Sequence, residues 1–115
     1  MTGIVTVYAT FPSDEEARRI ARILVEEKLA ACANILGGCR SIYRWQGQVE
    51  EAEEVAALFK TSAGRADALI ACLGELHSYE VPAAVVWTIP NAFGDYASWV
   101  VAETTLADKQ DLDGG

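Results

Sequence analysis

Basic side chains are scarce in this chain, and histidine is almost absent. Its 115 residues include 9 lysines and arginines, 17 aspartates and glutamates and one histidine, which gives a net charge of −8 at pH 7. An acidic surface repels phosphate backbones and anionic lipid headgroups. We therefore expect no nucleic-acid partner and no membrane partner, and cations or neutral protein surfaces are the favoured ligands.

Cysteines are also few, and no apolar run reaches the length of a membrane span. The separations of Cys32, Cys39 and Cys72 match neither a disulfide framework nor the paired cysteines of a structural zinc site. A strand-like segment follows Met1 almost at once, without the basic region and cleavage site of an export signal. These absences predict reduced thiols and a cytoplasmic location.

Catalytic motifs are missing as well. The single histidine, His77, is adjacent in sequence to Ser78, and adjacent residues do not make a nucleophile with its base. The chain has no glycine-rich phosphate loop and no H-E-x-x-H motif. An enzyme would have to use Cys32 with His77, and no third residue that could orient them is recognisable. We predict a binding protein rather than an enzyme.

Strand-like and helix-like segments alternate along the chain. Segments rich in β-branched, aromatic and other apolar residues predict strands at residues 4–10, 31–45, 49–60 and 85–89. Apolar residues at helical spacing predict three helices capped by Ser13, Ser62 and Asp95, and Glu16 completes a capping box with Ser13. The first six elements follow the split βαβ pattern of a ferredoxin-like α+β sandwich, in which two helices cover one face of an antiparallel sheet.

The second and third strands form a long hairpin. Gln46-Gly47 marks its turn, and Gly37-Gly38 marks a bulge or kink, since glycine accepts unusual dihedral angles. Cys32 and Cys39 would face opposite sides of an unbroken strand, whereas a one-residue bulge would bring them to the same side. Cys39 is therefore a poor partner for Cys32 unless that bulge forms.

One domain accounts for the pattern. It covers residues 3–106, and residues 107–115 contain too few apolar side chains to pack, so we expect them to form a disordered tail. A hairpin of this length on a small sheet would leave Tyr43 and Trp45 in water. We therefore expect another subunit to cover these two aromatic side chains.

Three motifs occur in the order and at the separations typical of one protein family. They are Cys32-Ala33-Asn34-Ile35, Ser41-Ile42-Tyr43-Arg44-Trp45-Gln46-Gly47 and His77-Ser78-Tyr79-Glu80-Val81-Pro82. On these motifs the chain resembles the CutA family of divalent-cation tolerance proteins. The resemblance implies a ferredoxin-like homotrimer whose hairpins pair across subunit boundaries, with Tyr43 and Trp45 in the interface.

The same resemblance implies a function. It points to tolerance of, and response to, a divalent metal ion such as copper. No cofactor is required, and we expect copper or another divalent cation to bind only weakly, because Ala9 and Leu76 replace two donors of the copper site proposed for the family. The architecture is also similar to that of the PII signal-transduction proteins. The alternative function is therefore a trimeric signalling or interaction module that binds a small ligand or a partner in the cleft between subunits.

Cys32 and His77 are the candidate metal ligands, because a thiolate and an imidazole favour copper or zinc over hard cations. The resemblance implies the same pair, since each residue opens one of the shared motifs. The chain has Ala9 and Leu76 where family members with a proposed copper site carry a thiol and a second histidine. Cys72 is a further thiol. In the alternative interpretation, Cys32 packs as a small apolar residue and His77 hydrogen-bonds the turn that follows.

A second set of residues matches family positions that line a cleft beneath the hairpins: Lys60, Tyr79, Glu80 and Trp99. A lysine beside aromatic side chains could hold an anion there. Packing in the core or at an interface is the alternative role for Tyr79 and Trp99, because each buries a large area.

An acidic run opens the third strand, with Glu50, Glu51, Glu53 and Glu54. Carboxylates are the ligands that Mg²⁺ and Ca²⁺ prefer, so the run could bind a hard cation across a trimer axis. On a strand, Glu51 and Glu53 face one way and the other two face the opposite way. A solvated edge that discourages aggregation is the alternative interpretation.

Overall fold

The computed structural model describes residues 2–106, which form a four-stranded antiparallel sheet and three α-helices. The strands are β1 (Ile4–Phe11), β2 (Cys32–Trp45), β3 (Gln48–Ser62) and β4 (Ala84–Thr88), and the helices are α1 (Asp14–Glu26), α2 (Ala66–Leu76) and α3 (Gly94–Glu103). The strand order β2-β3-β1-β4 is that of the predicted ferredoxin-like fold. The tail predicted at residues 107–115 lies outside the described residues.

One face of the sheet packs against α1 and α2. Alternate residues of β1, among them Val7 and Phe11, meet Phe59 of β3 in a fully buried cluster. Helix α1 contributes Leu24 and α2 contributes Leu73, from apolar stripes that recur at helical spacing. This layer confirms the predicted arrangement, in which two helices cover one face of the sheet. No helix in the described range combines the length and the apolarity that a membrane crossing needs.

The opposite face of the sheet is covered only at one end, by α3. Val100 of α3 is buried against Ile4 and Ala31. Ser62 shares a hydrogen bond of 2.6 Å between its hydroxyl and that of Thr104. The rest of this face carries Tyr8 and lies beside the loop after α2 and the hairpin.

Two of the predicted helix caps are wrong. Ser62 ends β3 and uses its hydroxyl on Thr104, so α2 begins after a 3-10 turn (Ala63–Arg65) that no side chain caps. The N-cap position of α3 is Phe93, and Asp95 lies in the first turn of that helix. Ser62 lies three residues before the N-cap position of α2, which is Arg65, and Asp95 lies two residues after that of α3, so neither polar side chain is at a capping position.

The long hairpin has the predicted turn and bulge. Its ladder runs from Cys32 opposite Lys60 to the pair at the turn, with a register shift between Ile35 and Gly37. Gly37 has a φ of +98°, and Gln46 and Gly47 at the turn have φ of +51° and +81°. The shift places Cys39 on the same face of the sheet as Cys32, as expected for a bulged strand.

Candidate functional site

A cavity of about 500 Å³ lies between the hairpin, β1 and the loop after α2. This volume falls within the range of small-molecule sites, which is about 300–1,000 Å³. The cavity opens on the sheet face that α1 and α2 do not cover. Its walls are Tyr8, Thr10, Ser41, Tyr43, Trp45, Glu54, Tyr79, Glu80, Val81 and Ala83.

Glu54 is the buried acid of this cavity, with only 8% of its surface exposed. One carboxylate oxygen accepts a hydrogen bond of 2.6 Å from the Ser41 hydroxyl, and the other accepts one of 2.7 Å from the Tyr79 hydroxyl. Burial, and next the hydrogen bond to Glu54, raise the pKa of Tyr79 above its usual value. Tyr79 is therefore a neutral hydroxyl that donates its proton to the hydrogen bond with the Glu54 carboxyl group.

The remaining walls are aromatic or acidic. Trp45 and Tyr43 come from the hairpin, and Tyr8 comes from β1 with its ring stacked on Trp87 at a centroid distance of 5.0 Å. Glu80 adds a second carboxylate at the exposed rim. No lysine, arginine or histidine is among the described residues that line the cavity. The site is thus a negatively charged, aromatic-walled recess.

His77 lies on the other side of the sheet and is held by the fold. Its Nε2 donates to the carbonyl oxygen of Thr10 at 2.8 Å, and its Nδ1 accepts from the backbone N–H of Tyr79 at 3.0 Å. The ring stacks on Phe11 at a centroid distance of 5.0 Å. Glu16 lies 3.5 Å from Nδ1 and accepts from the backbone N–H of Ser78. Both ring nitrogens are therefore engaged within one chain.

The capping box predicted for Ser13 and Glu16 forms only in part. The Ser13 hydroxyl accepts a hydrogen bond from the backbone N–H of Glu16 at 3.1 Å, as expected for an N-cap. The carboxylate of Glu16 does not return to Ser13 but holds Ser78. Half of the box caps α1, and the other half ties α1 to the residues after α2.

Cys32 begins the edge strand β2, beneath α3. Its sulfur lies 3.3 Å from the Tyr96 hydroxyl, within hydrogen-bond distance. Burial, and next this contact with Cys32, raise the pKa of Tyr96 to about 12. The Tyr96 ring lies 5.8 Å from that of Trp99, and Lys60 donates to the Asn34 side chain at 2.7 Å. Lys60 and Trp99 thus lie near Cys32, whereas Tyr79 and Glu80 line the cavity.

Within one chain, Cys32 and His77 do not come together. Cys32 is in register with Lys60 and, across β3, with Thr6, four residues before the Thr10 carbonyl that holds His77. Two strand spacings and four residues separate the two sites by roughly 15 Å or more. The described residues contain no group of three or more His, Cys, Asp or Glu side chains placed to hold a metal ion. The metal-ligand assignment therefore stays a prediction.

The other candidate metal ligands, Cys72 and the acidic run of β3, interact with residues close to them. Burial, followed by Glu75 and Glu27, raises the pKa of Cys72, which disfavours the thiolate that binds metals. Glu51 and Glu53 both form ion pairs with Arg40 on the exposed side of the hairpin. Glu54 of the same run faces the opposite way, into the cavity, as the alternation predicted.

Sequence reasoning missed Glu54, Ser41, Tyr8 and Thr10 as members of one site. The sequence pattern places Glu54 in a solvated acidic run, although this residue directly precedes the apolar stretch of β3 and shares the face of Lys60. That position could have indicated a buried carboxylate. Its contact with Tyr79 depends on tertiary packing, for which the local pattern holds no signal.

The comparisons with known proteins agree on one family. The family model described as CutA1 divalent ion tolerance protein matches residues 5–103. A Thermus thermophilus protein named divalent-cation tolerance protein CutA is 45% identical over 98 residues, which cover 85% of this chain and 95% of that protein.

Solved structures agree with the fold. The crystal structure of CutA from Xylella fastidiosa has a TM-score of 0.87 and 36% identity, and covers 90% of this chain and 99% of that one. A structure described as the periplasmic divalent cation tolerance protein CutA from Archaeoglobus fulgidus has a TM-score of 0.86 and 33% identity, with 89% and 99% covered. These similarities confirm the predicted α+β fold.

Proposed function

Because this chain belongs to the CutA1 divalent ion tolerance protein family, we propose that it serves tolerance of divalent cations as a homotrimeric binding protein, without catalysis. Relatives from Thermus thermophilus and Pyrococcus horikoshii carry the name divalent-cation tolerance protein. Both ring nitrogens of His77, the chain's one imidazole, are hydrogen-bonded, so His77 would have to give up a hydrogen bond before it could act as a general base.

The exposed hairpin is the observation that supports the trimer. Residues 48–54 of β3 pair with β2 alone, so the outer half of the hairpin has no further strand beside it in one chain. Ile42 and Val49 are 68% and 66% exposed there, and Tyr43 and Trp45 are 42% and 40% exposed. Large apolar surfaces and open strand edges are typical of subunit interfaces. Tyr43 and Trp45 are the proposed interface residues.

Copper is the proposed cation, with Cys32 and His77 as the donors to test. They are a half-buried thiol on an open edge strand and the single imidazole of the chain. A site that uses both needs one residue from each of two subunits, because one chain keeps them apart. His77 must also release Thr10 or the Tyr79 N–H to bind, so the proposed affinity is weak.

Calorimetric titration with Cu²⁺ and Zn²⁺ tests this site. We expect copper binding with a sub-millimolar Kd that weakens in Cys32→Ser, disappears in a folded His77→Ala variant and falls on acidification, because a protonated imidazole has no lone pair. Wild-type affinity in both variants would contradict the assignment. Binding to surface carboxylates would instead respond to Glu51→Gln or Glu53→Gln and fall below about pH 5.

The cavity beside Glu54 favours a second candidate function, a trimeric signalling or interaction module that binds a small ligand between subunits. Tyr43 and Trp45 line the cavity and are also the proposed interface residues, so a neighbouring subunit would complete its walls. Thermal melting with a panel of neutral, anionic and cationic small molecules tests this function. Stabilisation by a panel member that is lost on changing a cavity residue would support it, and a uniformly inert panel would contradict it.

A cytoplasmic location is proposed on the state of the thiols. Cys32, Cys39 and Cys72 are all free. Cytoplasmic thiols stay reduced, whereas exported proteins often form disulfides. Cell fractionation tests the proposal, since recovery of the chain in the periplasm, the location stated for the Archaeoglobus relative, would overturn it.

A further inference from the structure

The carboxylate of Glu54 is buried without a compensating positive charge. It is more than nine-tenths buried, and none of the ion pairs among the described residues includes it. Its two partners are the neutral hydroxyls of Ser41 and Tyr79. A carboxylate has about four lone-pair sites, so each oxygen can still accept another donor. Buried charges are usually paired, and the described residues supply no basic partner for this one.

The surroundings of Glu54 repeat the same charge and add aromatic rings. Glu80 places a second carboxylate at the rim, and no basic side chain is among the described lining residues. Four aromatic side chains line the same space: Tyr8, Tyr43, Trp45 and Tyr79. Aromatic rings attract cations through their quadrupole, and the attraction is strongest where water is excluded.

We propose that this cavity binds a small organic cation, an ammonium or guanidinium group carried on an apolar body. The inference rests on the ligand-binding function proposed for the cavity and names the ligand class. The charged group contacts Glu54, and the apolar body lies among the aromatic walls. A volume of about 500 Å³ is sufficient for a molecule of this kind.

The donor set favours an organic cation over a metal ion. Hard divalent cations take about six to eight oxygen ligands in close geometry. The cavity offers two carboxylates, of which Glu54 already accepts two hydroxyl donors, and most of its wall is aromatic or apolar. Aromatic rings are poor metal ligands but good neighbours for a diffuse positive charge.

Calorimetry on the full-length assembled protein tests the proposal with choline and butylamine as probes. Each probe has a neutral control: the carbon isostere of choline, and butanol. We expect both cations to bind with a Kd in the millimolar range or tighter, and the neutral controls to bind about tenfold more weakly, which corresponds to about 1.4 kcal/mol.

Glu54→Gln should weaken the binding of both cations about tenfold, since the amide keeps the volume but removes the charge. Glu53→Gln is the matched control. It removes a charge one residue away on the opposite face, where Glu53 pairs with Arg40, and should leave cation binding unchanged. Melting curves and solution mass report whether Glu54→Gln folds. If it does not fold, the exposed Glu80→Gln should still weaken binding about threefold.

Several results overturn the proposal. Binding of neutral or anionic panel members without binding of the cations would leave the cavity a ligand site of another class. Binding of Zn²⁺ or Mg²⁺ that depends on Glu54 and that choline does not displace would assign the site to a metal. If no small molecule binds and Glu54→Gln instead lowers the solution mass, a basic side chain of a neighbouring subunit pairs with Glu54. In that last case the ligand-binding function fails as well.

Discussion

The imidazole of His77 connects the segment after α2 to β1, and Glu16 connects the same segment to α1. The ring is fully buried, bonds to Thr10 and to the N–H of Tyr79, and stacks on Phe11. These contacts also place Tyr79 at the cavity, two residues later. His77 therefore positions a cavity residue whether or not it ever binds a metal ion.

Replacing His77 by alanine should lower the free energy of unfolding by about 3 kcal/mol, because the change leaves a cavity and two unsatisfied backbone groups. Denaturant titration at fixed protein concentration measures this loss. Ser78→Ala is the control, since Ser78 is exposed and only its backbone N–H bonds to Glu16. Loss of less than about 1 kcal/mol in His77→Ala would contradict the structural role.

The raised pKa of Tyr96 leads us to expect that the folded chain loses stability at high pH. Its pKa is raised from 10.0 to about 12 in the folded chain, first by burial and then by Cys32. A group with a raised folded pKa stabilises the fold below its unfolded pKa, and that contribution is lost as pH rises through the folded value. The free energy of unfolding should therefore fall between pH 10 and about 12.

The variant Tyr96→Phe isolates this effect, because it keeps the ring and removes the titrating hydroxyl. Its stability should fall less steeply over the same pH range than that of the wild type. Denaturant titrations at a series of pH values measure the two slopes. Equal slopes would show that Tyr96 ionises alike in the folded and unfolded chains.

Among the helices and strands, two glycines allow the effect of backbone conformation on stability to be measured apart from the effect of side-chain packing. Gly47 in the hairpin turn has a φ of +81°, whereas Gly74 in α2 has no such positive φ, and a Cβ at either position would meet no atom within 4 Å. Gly47→Ala should therefore cost about 1 kcal/mol through backbone strain alone. Gly74→Ala should stabilise the chain by about 0.5–1 kcal/mol through helix propensity.

Thermal melting of both glycine variants beside the wild type shows whether each substitution raises or lowers the stability. The melting temperature should fall in Gly47→Ala and rise in Gly74→Ala. A neutral result at Gly47 would mean that the turn relaxes to a conformation without positive φ. A loss at Gly74 would mean that this position packs against another subunit.

Local patterns predicted the strands, α1, the turn and the bulge, because each depends on neighbouring residues. Ser13 capped α1 as expected, since its hydroxyl has only to reach a backbone N–H three residues on. Ser62 and Asp95 do not cap their helices. Polar side chains occur at several positions near a helix start, so the local pattern alone does not identify the one at the N-cap. The Ser62 hydroxyl instead bonds to Thr104, which is 42 residues away in the sequence.

The candidate site was harder to predict than the fold, because its members come from three separate elements. The hairpin register explains why Ser41 reaches Glu54, 13 residues later. The bond from Tyr79 to Glu54 needs the loop after α2 to cross the sheet, and only tertiary packing specifies that. Sequence reasoning therefore names Tyr79 and Glu80 as cleft residues, but it does not place Glu54 of the hairpin beside them.

At the scale of the whole molecule, the hairpin makes the single chain elongated. The Cα radius of gyration is 15.5 Å, whereas a compact domain of about 100 residues has about 13 Å. The principal extents are 52 × 31 × 24 Å. The long axis agrees with a hairpin that projects from the sheet and carries the aromatic side chains proposed for the interface.

Trp45→Asp should weaken the proposed trimer, because it places a charge where an aromatic side chain is expected to lose contact with water. Ala68→Asp is the matched control, since it adds the same charge to an exposed position on α2. Sedimentation at a series of protein concentrations measures both variants. We expect dissociation at higher concentration in Trp45→Asp only, and equal dissociation of the two variants would exclude Trp45 from the interface.

The solution mass of the wild-type chain is the decisive measurement, because the proposed interface, the proposed shared metal site and the proposed completion of the cavity all require more than one subunit. Light scattering at micromolar concentration should give three times the chain mass of 12.4 kDa. A monomer mass at that concentration would contradict the account, since the hairpin would then stay uncovered and Cys32 could not meet His77.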